Sequence, residues 1–197
     1  MFSSSLLLAG RGSASSVRRQ LDRWIKSGRL IQLRRGVYSV APPYQAEAPH
    51  PFLVANHLRK PSYVSLHSAL SHYGMIPEFV PVTTSVTTDR PEELQTPLGR
   101  FVFRHVKKTA FFGYIQTEIS RGQSVFLASP EKALLDLLYL TPGSDSPEYL
   151  KELRFEPTDR FDWQALRMHA DRFESRPLKR AVELLSRMTT GRSDQEL

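Results

Sequence analysis

The 197-residue sequence predicts an α+β fold in two modules, and three observations carry that prediction. Apolar residues recur with helical spacing at Val17, Leu21, Trp24 and Ile25. They switch to strand-like β-branched and aromatic runs between Val80 and Ala128, then return to helical spacing after Ser129. A proline-rich stretch, "APPYQAEAPHP" at residues 41–51, interrupts both periods and separates a basic N-terminal segment from the rest. Hydrophobic content of 40% and charged content of 24% are those of a folding chain with a sizeable core. The expected domains are residues 1–41, a linker at 42–51, an α+β module at 52–190 and a polar tail at 191–197.

Each element has its own warrant. Phe2 to Ala9 reads as a short first helix whose Phe2, Leu6 and Leu7 are expected to cover Leu21 and Trp24. Residues 15–27 form a second helix. At about 100° per residue, Val17, Leu21, Trp24 and Ile25 share one sector, while Ser15, Ser16, Arg19, Asp22, Arg23 and Lys26 lie opposite. A serine among Ser13, Ser15 and Ser16 caps its start, and Gly28 stands where a left-handed residue ends a helix. Leu30–Leu33 and Val37–Val40 then read as a hairpin around Arg34-Arg35-Gly36.

Past the linker, Phe52–Arg59 and Tyr63–Tyr73 read as helices, the latter closed by Gly74 and Pro77. Strands are expected at Val80–Thr88, Phe101–Val106, Tyr114–Ile119 and Ser124–Ala128, the last two joined by an Arg121-Gly122 turn into a small antiparallel sheet. Ser129-Pro130-Glu131 announces a helix running to about Leu140, with little polar face and therefore central to the core. C-terminal helices at about 162–173 and 177–188 complete the prediction.

Charge is distributed unevenly. Residues 1–41 hold eight Lys/Arg against the single acid Asp22, while the other 156 residues carry 19 of each sign, so the first fifth holds the whole net charge of +7. A basic segment on a neutral body is the footprint of a module that reads a polyanion. Helix, turn and basic-tipped hairpin together read as a winged helix-turn-helix, whose reading helix fits the DNA major groove. Candidate phosphate contacts are Arg18, Lys26, Arg34 and Arg35, and candidate base readers are Ser15, Ser16, Arg19 and Arg23. Arg100, Arg104, Lys107 and Lys108 are candidate auxiliary phosphate contacts, weighed against a solvated strand edge.

The stretch "VRRQLDRWIKSGRLIQLRRGVYSV", followed in order by "YVSLHSALSHYGMI", "VTTSVTTDRP", "TPLGRFVFRHV" and "ASPEKALLDLLYL", resembles the AbiEi-like antitoxins of abortive-infection, type IV toxin–antitoxin systems, over roughly residues 2–140. The resemblance implies an N-terminal winged helix that represses its own operon at inverted repeats in double-stranded DNA. It also implies a second domain that counters a nucleotidyltransferase-like toxin. The short N-terminus departs from the family pattern.

Other chemistries fit less well. His67 and His72 lie five residues apart, about 140° round a helix, so they do not form a metal pair at i, i+4 spacing. Glu118, Glu131, Lys132 and Asp136 contain the residue types of a metal-dependent nuclease, but Glu131-Lys132 opens a helix rather than lying on adjacent strands. No nucleophile elbow or Gly-rich phosphate loop occurs. The expectation is a non-enzymatic protein without metal or cofactor, its main alternative a protein-interaction module with secondary DNA contact. Zero Cys is compatible with a reducing compartment. The run Leu6–Ala9 is too short for a signal core or a membrane span, so a cytoplasmic location is expected.

Overall fold

The structure is a computed structural model that describes residues 1–8, 13–78 and 80–193. It is a mixed α+β protein with two sheets. The first 41 residues supply β1 (Phe2–Ser3), α1 (Ser4–Leu8), α2 (Ala14–Lys26), β2 (Leu30–Arg34) and β3 (Val37–Val40), with an antiparallel sheet in the order β1-β3-β2. Leu21 on α2 meets Leu30 and Tyr38 of the hairpin, with Phe2, Val17, Trp24, Ile25 and Val40 around them, and this forms a small core of its own. Phe2 stacks on Tyr38 at 5.7 Å.

The expected cover from α1 is only partly present. Phe2 and Ser3, expected in the helix, are instead drawn into the sheet by pairing with Tyr38 and Val37, so that Phe2 packs inward, while Leu6 is 75% exposed and Leu7 39% exposed. Ala9, the end of the expected first helix, lies outside the described residues.

The expected linker is fastened to the body. Gln123 accepts from the His50 amide at 2.7 Å and donates to the Ala48 carbonyl at 3.1 Å. Helix α3 (Pro51–Leu58) then starts with Pro at its first position and with the His50 ring accepting from the Phe52 amide.

The second sheet has six strands in the order β6-β7-β5-β4-β9-β8, comprising β4 (Ser62–Val64), β5 (Val82–Thr87), β6 (Glu92–Thr96), β7 (Gly99–His105), β8 (Tyr114–Ser120) and β9 (Gln123–Ala128). The expectation of a small antiparallel sheet is therefore corrected to a larger, mixed one: β4–β9 and β5–β7 run parallel, and the other three pairs run antiparallel. Two strands account for the difference. β4 is buried along its whole length, so it lacks alternation and reads as the start of the helix expected at Tyr63–Tyr73; the helix proper, α4, is Leu66–His72. β6, "EELQT", is a polar edge strand without a β-branched run.

Helix α5 (Pro130–Leu140) crosses the core with Leu134, Leu135, Leu137 and Leu138 buried. Behind it lie α6 (Pro147–Glu152), which apolar periodicity does not announce, α7 (Trp163–Asp171) and α8 (Arg176–Ser193). Helix α8 extends past the expected 188, so residues 191–193 of the expected tail are helical, and 194–197 lie outside the described residues. The main core also takes in Leu33 of β2, with Met1, Ile31 and Val37 packed against it, so the N-terminal unit is seated on the larger module. No helix among the described residues is long and apolar enough to cross a membrane.

Candidate nucleic-acid interface

Helix α2 is well terminated for its length. Ser13 caps it by accepting from the Ser16 amide at 3.3 Å. At the other end the Gly28 amide donates to Ile25 and the Arg29 amide to Trp24, with Gly28 at φ +69. These are the paired bonds of a Schellman stop, where a left-handed glycine satisfies the last carbonyls. The helix turns its apolar stripe inward and presents Ser15, Ser16, Arg18, Arg19, Arg23 and Lys26, all exposed. Asp22, the lone acid on that face, makes no ion pair among the described residues, so none of the cations one turn away is tied to it.

The hairpin divides its two arginines. Arg35 sits exposed at the tip beside Gly36, whose φ is +85. Arg34, expected to contact phosphate, is turned into the protein: its Nη1 donates to the Leu58 carbonyl at 3.0 Å and lies 3.3 Å from Glu92 Oε2. The cause is a β-bulge. Register between β2 and β3 slips between Gln32 and Arg34, so Leu33 and Arg34 both reach the larger module. Strict alternation would have sent Arg34 to the side of exposed Gln32; a bulge re-aims the residue after it.

The concentration of cations without a partner on one 13-residue helix and the adjoining hairpin tip defines the site. Among the described residues, Arg18, Arg19, Arg23, Lys26 and Arg35 have no ion pair and no side-chain hydrogen bond. Arg29 lies over the Tyr44 ring at 5.9 Å. In the larger module many cations are engaged, Arg59 with Asp89 and Glu92, Arg154 with Glu78, Lys179 with Asp171, Arg180 with Asp145 and Arg187 with Glu183, while cations without an ion pair among the described residues, such as Lys60, Arg90, Arg121 and Arg160, are spread along the chain rather than gathered on one helix.

Three of the four auxiliary cations are engaged within the protein. Arg100 pairs with Glu93 at 2.5 Å, Arg104 donates to the Leu140 carbonyl at 2.9 Å, and Lys107 lies 3.9 Å from Glu174. They are drawn to β6, the end of α5 and the α7–α8 connection in turn, leaving Lys108 as the exposed member without a partner among the described residues.

The residue types of the nuclease reading are likewise dispersed. Lys132 and Asp136 form a fully buried ion pair, with the Asp136 carboxylate also accepting from Tyr63 at 2.9 Å and Ser65 at 2.8 Å. Burial pushes the Lys132 ammonium down and the Asp136 carboxyl up, and their mutual contact pulls each back. Burial and the adjacent carboxylate push the Tyr63 phenol well up. The rings of Tyr63, Phe112 and Phe173 surround the Lys132 ammonium at 5.1–5.2 Å. Glu131 instead accepts from the Asp162 amide at 3.0 Å, and Glu118 from the Gly122 amide at 2.8 Å. No group of three or more metal-ligating residue types comes together among the described residues.

His50 and His72 flank the Phe52 ring, at 4.8 and 5.7 Å. Burial lowers the pKa of both, and of His57 and His67. Comparison with protein-family models and with curated proteins finds no match to this chain.

Proposed function

We propose that the protein is a sequence-specific double-stranded DNA-binding transcriptional regulator without enzymatic activity, which represses its own operon as the antitoxin of a type IV toxin–antitoxin pair. The observation that carries the reading is the exposed cationic face of α2, unneutralised within the described structure, beside an exposed Arg35 at a hairpin tip. Unpaired cations lose least on meeting phosphate, because no internal salt bridge has to be given up, and release of counterions from DNA drives the association.

The order of elements supports a winged helix. Strand, helix, helix and hairpin follow one another and the first strand pairs with the last, an order in which this reading assigns α2, directly before the hairpin, as the groove-reading helix. In this reading Arg18, Lys26 and Arg35 hold the phosphate backbone, while Ser15, Ser16, Arg19 and Arg23 face base edges. The antitoxin part rests on the sequence resemblance, with a nucleotidyltransferase-like toxin as the partner of the larger module.

Fluorescence-anisotropy titration against duplex from the protein's own upstream region and against a scrambled duplex, at several salt concentrations, tests the reading. The wild type is expected to prefer its own sequence and to weaken steeply with salt. Replacing Arg19 and Arg23 by Ala is expected to abolish the preference, at about 1–3 kcal/mol per lost base contact. Equal binding by wild type and the double variant would reject α2 as the reader.

A further inference from the structure

We propose that Arg34 and Glu92 form a latch that holds the hairpin at the angle from which Arg35 meets DNA, so that an acidic residue of the larger module, on the β6 edge strand, strengthens DNA binding. The inference rests on the DNA-binding reading and assigns that reading a positioning residue far from α2 in sequence.

Four contacts converge on this point. Arg34 bridges two elements of the larger module, the Leu58 carbonyl at the end of α3 and Glu92 at the start of β6. Arg59, next along the chain from Leu58, also pairs with Glu92 and lies 3.6 Å from Asp89. Arg34 and Glu92 are both partly shielded from solvent, so the pair is screened less than the ion pairs on the surface. Leu33, the residue before Arg34, is buried in the main core, which anchors the bulged strand beside the ion pair. Both bonds come from the one Nη1, whose two N–H groups are fixed in the guanidinium plane, a direction that a lysine ammonium on a flexible stem does not hold in the same way.

The consequence is mechanical. Gly36 follows Arg35 directly at φ +85, the left-handed conformation this tight turn requires, and the turn by itself does not fix the angle of the hairpin to the larger module. Arg34 supplies an anchor, and Ser4 adds another by donating its amide to the Gly36 carbonyl at 2.8 Å. With the hairpin held, Arg35 points outward before DNA arrives, and the ordering cost at binding is reduced.

Electrostatics and positioning give opposite signs for the same substitution, which makes the proposal testable. Glu92→Gln removes a negative charge from a DNA-binding protein, and on charge alone it should tighten binding. The latch predicts weaker binding, by about tenfold, within the range by which residues that touch no ligand alter coupling. Arg34→Ala should weaken binding to a similar extent while leaving the slope of log affinity against log salt unchanged. A lost phosphate contact would instead reduce that slope by about 0.9.

The full-length wild type, Glu92→Gln, Arg34→Ala, Arg34→Lys and the Arg34→Ala/Glu92→Gln pair are titrated with upstream duplex across salt, with thermal unfolding recorded for each. Amide hydrogen exchange over residues 30–40 is measured without DNA. The expected result is weakened binding by both single charge-removing variants, no further loss in the pair, incomplete rescue by Lys, and faster exchange in the hairpin. If Arg34→Ala does not fold, Glu92→Gln and Arg34→Lys still decide the sign. If the wild type binds duplex and Glu92→Gln binds as well or better, the latch is overturned while the DNA-binding reading stands. If the wild type binds no duplex, both fall.

Discussion

Two neighbouring arginines, Arg34 and Arg35, carry the same chemistry in the sequence and opposite assignments in the structure. One is bonded to Leu58 and Glu92, the other exposed at the tip. That division was not legible, because a bulge is set by tertiary packing of Leu33 and leaves no mark in the alternation of "LIQLRRGVYSV". The faces of α2 were legible, since 13 residues at a fixed helical period assign Leu21 and Arg23 to opposite sides from spacing alone. Lys132 and Asp136 mislead in the other direction. On paper they are candidate chemistry, but in the fold they are enclosed by aromatic rings and hydroxyls. Asp136→Asn or Lys132→Met is expected to lower stability by about 3–5 kcal/mol in denaturant titration, because each leaves its partner buried without a counter-charge. Replacing both by apolar residues of similar volume is expected to cost much less than the two single losses combined. Additive losses would mean that the two side chains act independently.

At the scale of elements, a signature was readable wherever the local chemistry was complete. Ser129-Pro130-Glu131 starts α5 as expected, with Ser129 accepting from the Lys132 amide. The same three residue types at Ser146-Pro147-Glu148 start α6, whose six residues are too few for a periodicity to stand out. Strands β4 and β6 were missed for opposite reasons, one buried throughout and the other polar, and both depart from the half-buried alternation that identifies a strand. For α2 the termini matter as much as the faces. Gly28→Ala is expected to destabilise the protein by about 1 kcal/mol, since a Cβ at φ +69 is strained even though the space around it is open. Ser13→Ala should cost about 1 kcal/mol as a lost cap. Thermal unfolding measures both. Because neither side chain is assigned to DNA, the salt slope of binding should be unchanged in each; a changed slope would add Ser13 or Gly28 to the interface.

Across the whole molecule, the unequal charge balance was visible in the sequence, and the structure shows where it is left unneutralised. The seating of the N-terminal unit on the larger module was not visible, because a stretch with four prolines reads as a loose connection while Gln123, 73 positions beyond His50, holds it down. The histidines give the protein a pH response. His50, His57, His67 and His72 all have folded-state pKa values below the ordinary 6.5, each chiefly through burial; His72 and Lys60 reinforce the shift at His50 and His57, and Glu78 opposes it at His67. The unfolded chain therefore binds protons first as pH falls. The stabilisation from these neutral rings is complete above about pH 6.5 and is lost progressively as pH drops through the lowered folded values. The unfolding temperature is expected to decline between pH 7.5 and 5.5, and His72→Gln should flatten that decline. An unchanged slope in the variant would show that other groups set it.

The most direct test of the central claim is a map of where DNA touches the protein. Backbone amide resonances of the isotope-labelled full-length chain should be followed while upstream duplex is added at low salt. Perturbations are expected at residues 15–26 and at Arg35-Gly36, with Arg100 and Arg104 unaffected. Shifts confined to the larger module, or spread evenly over all exposed cations, would contradict the assignment of α2 as the surface that reads DNA.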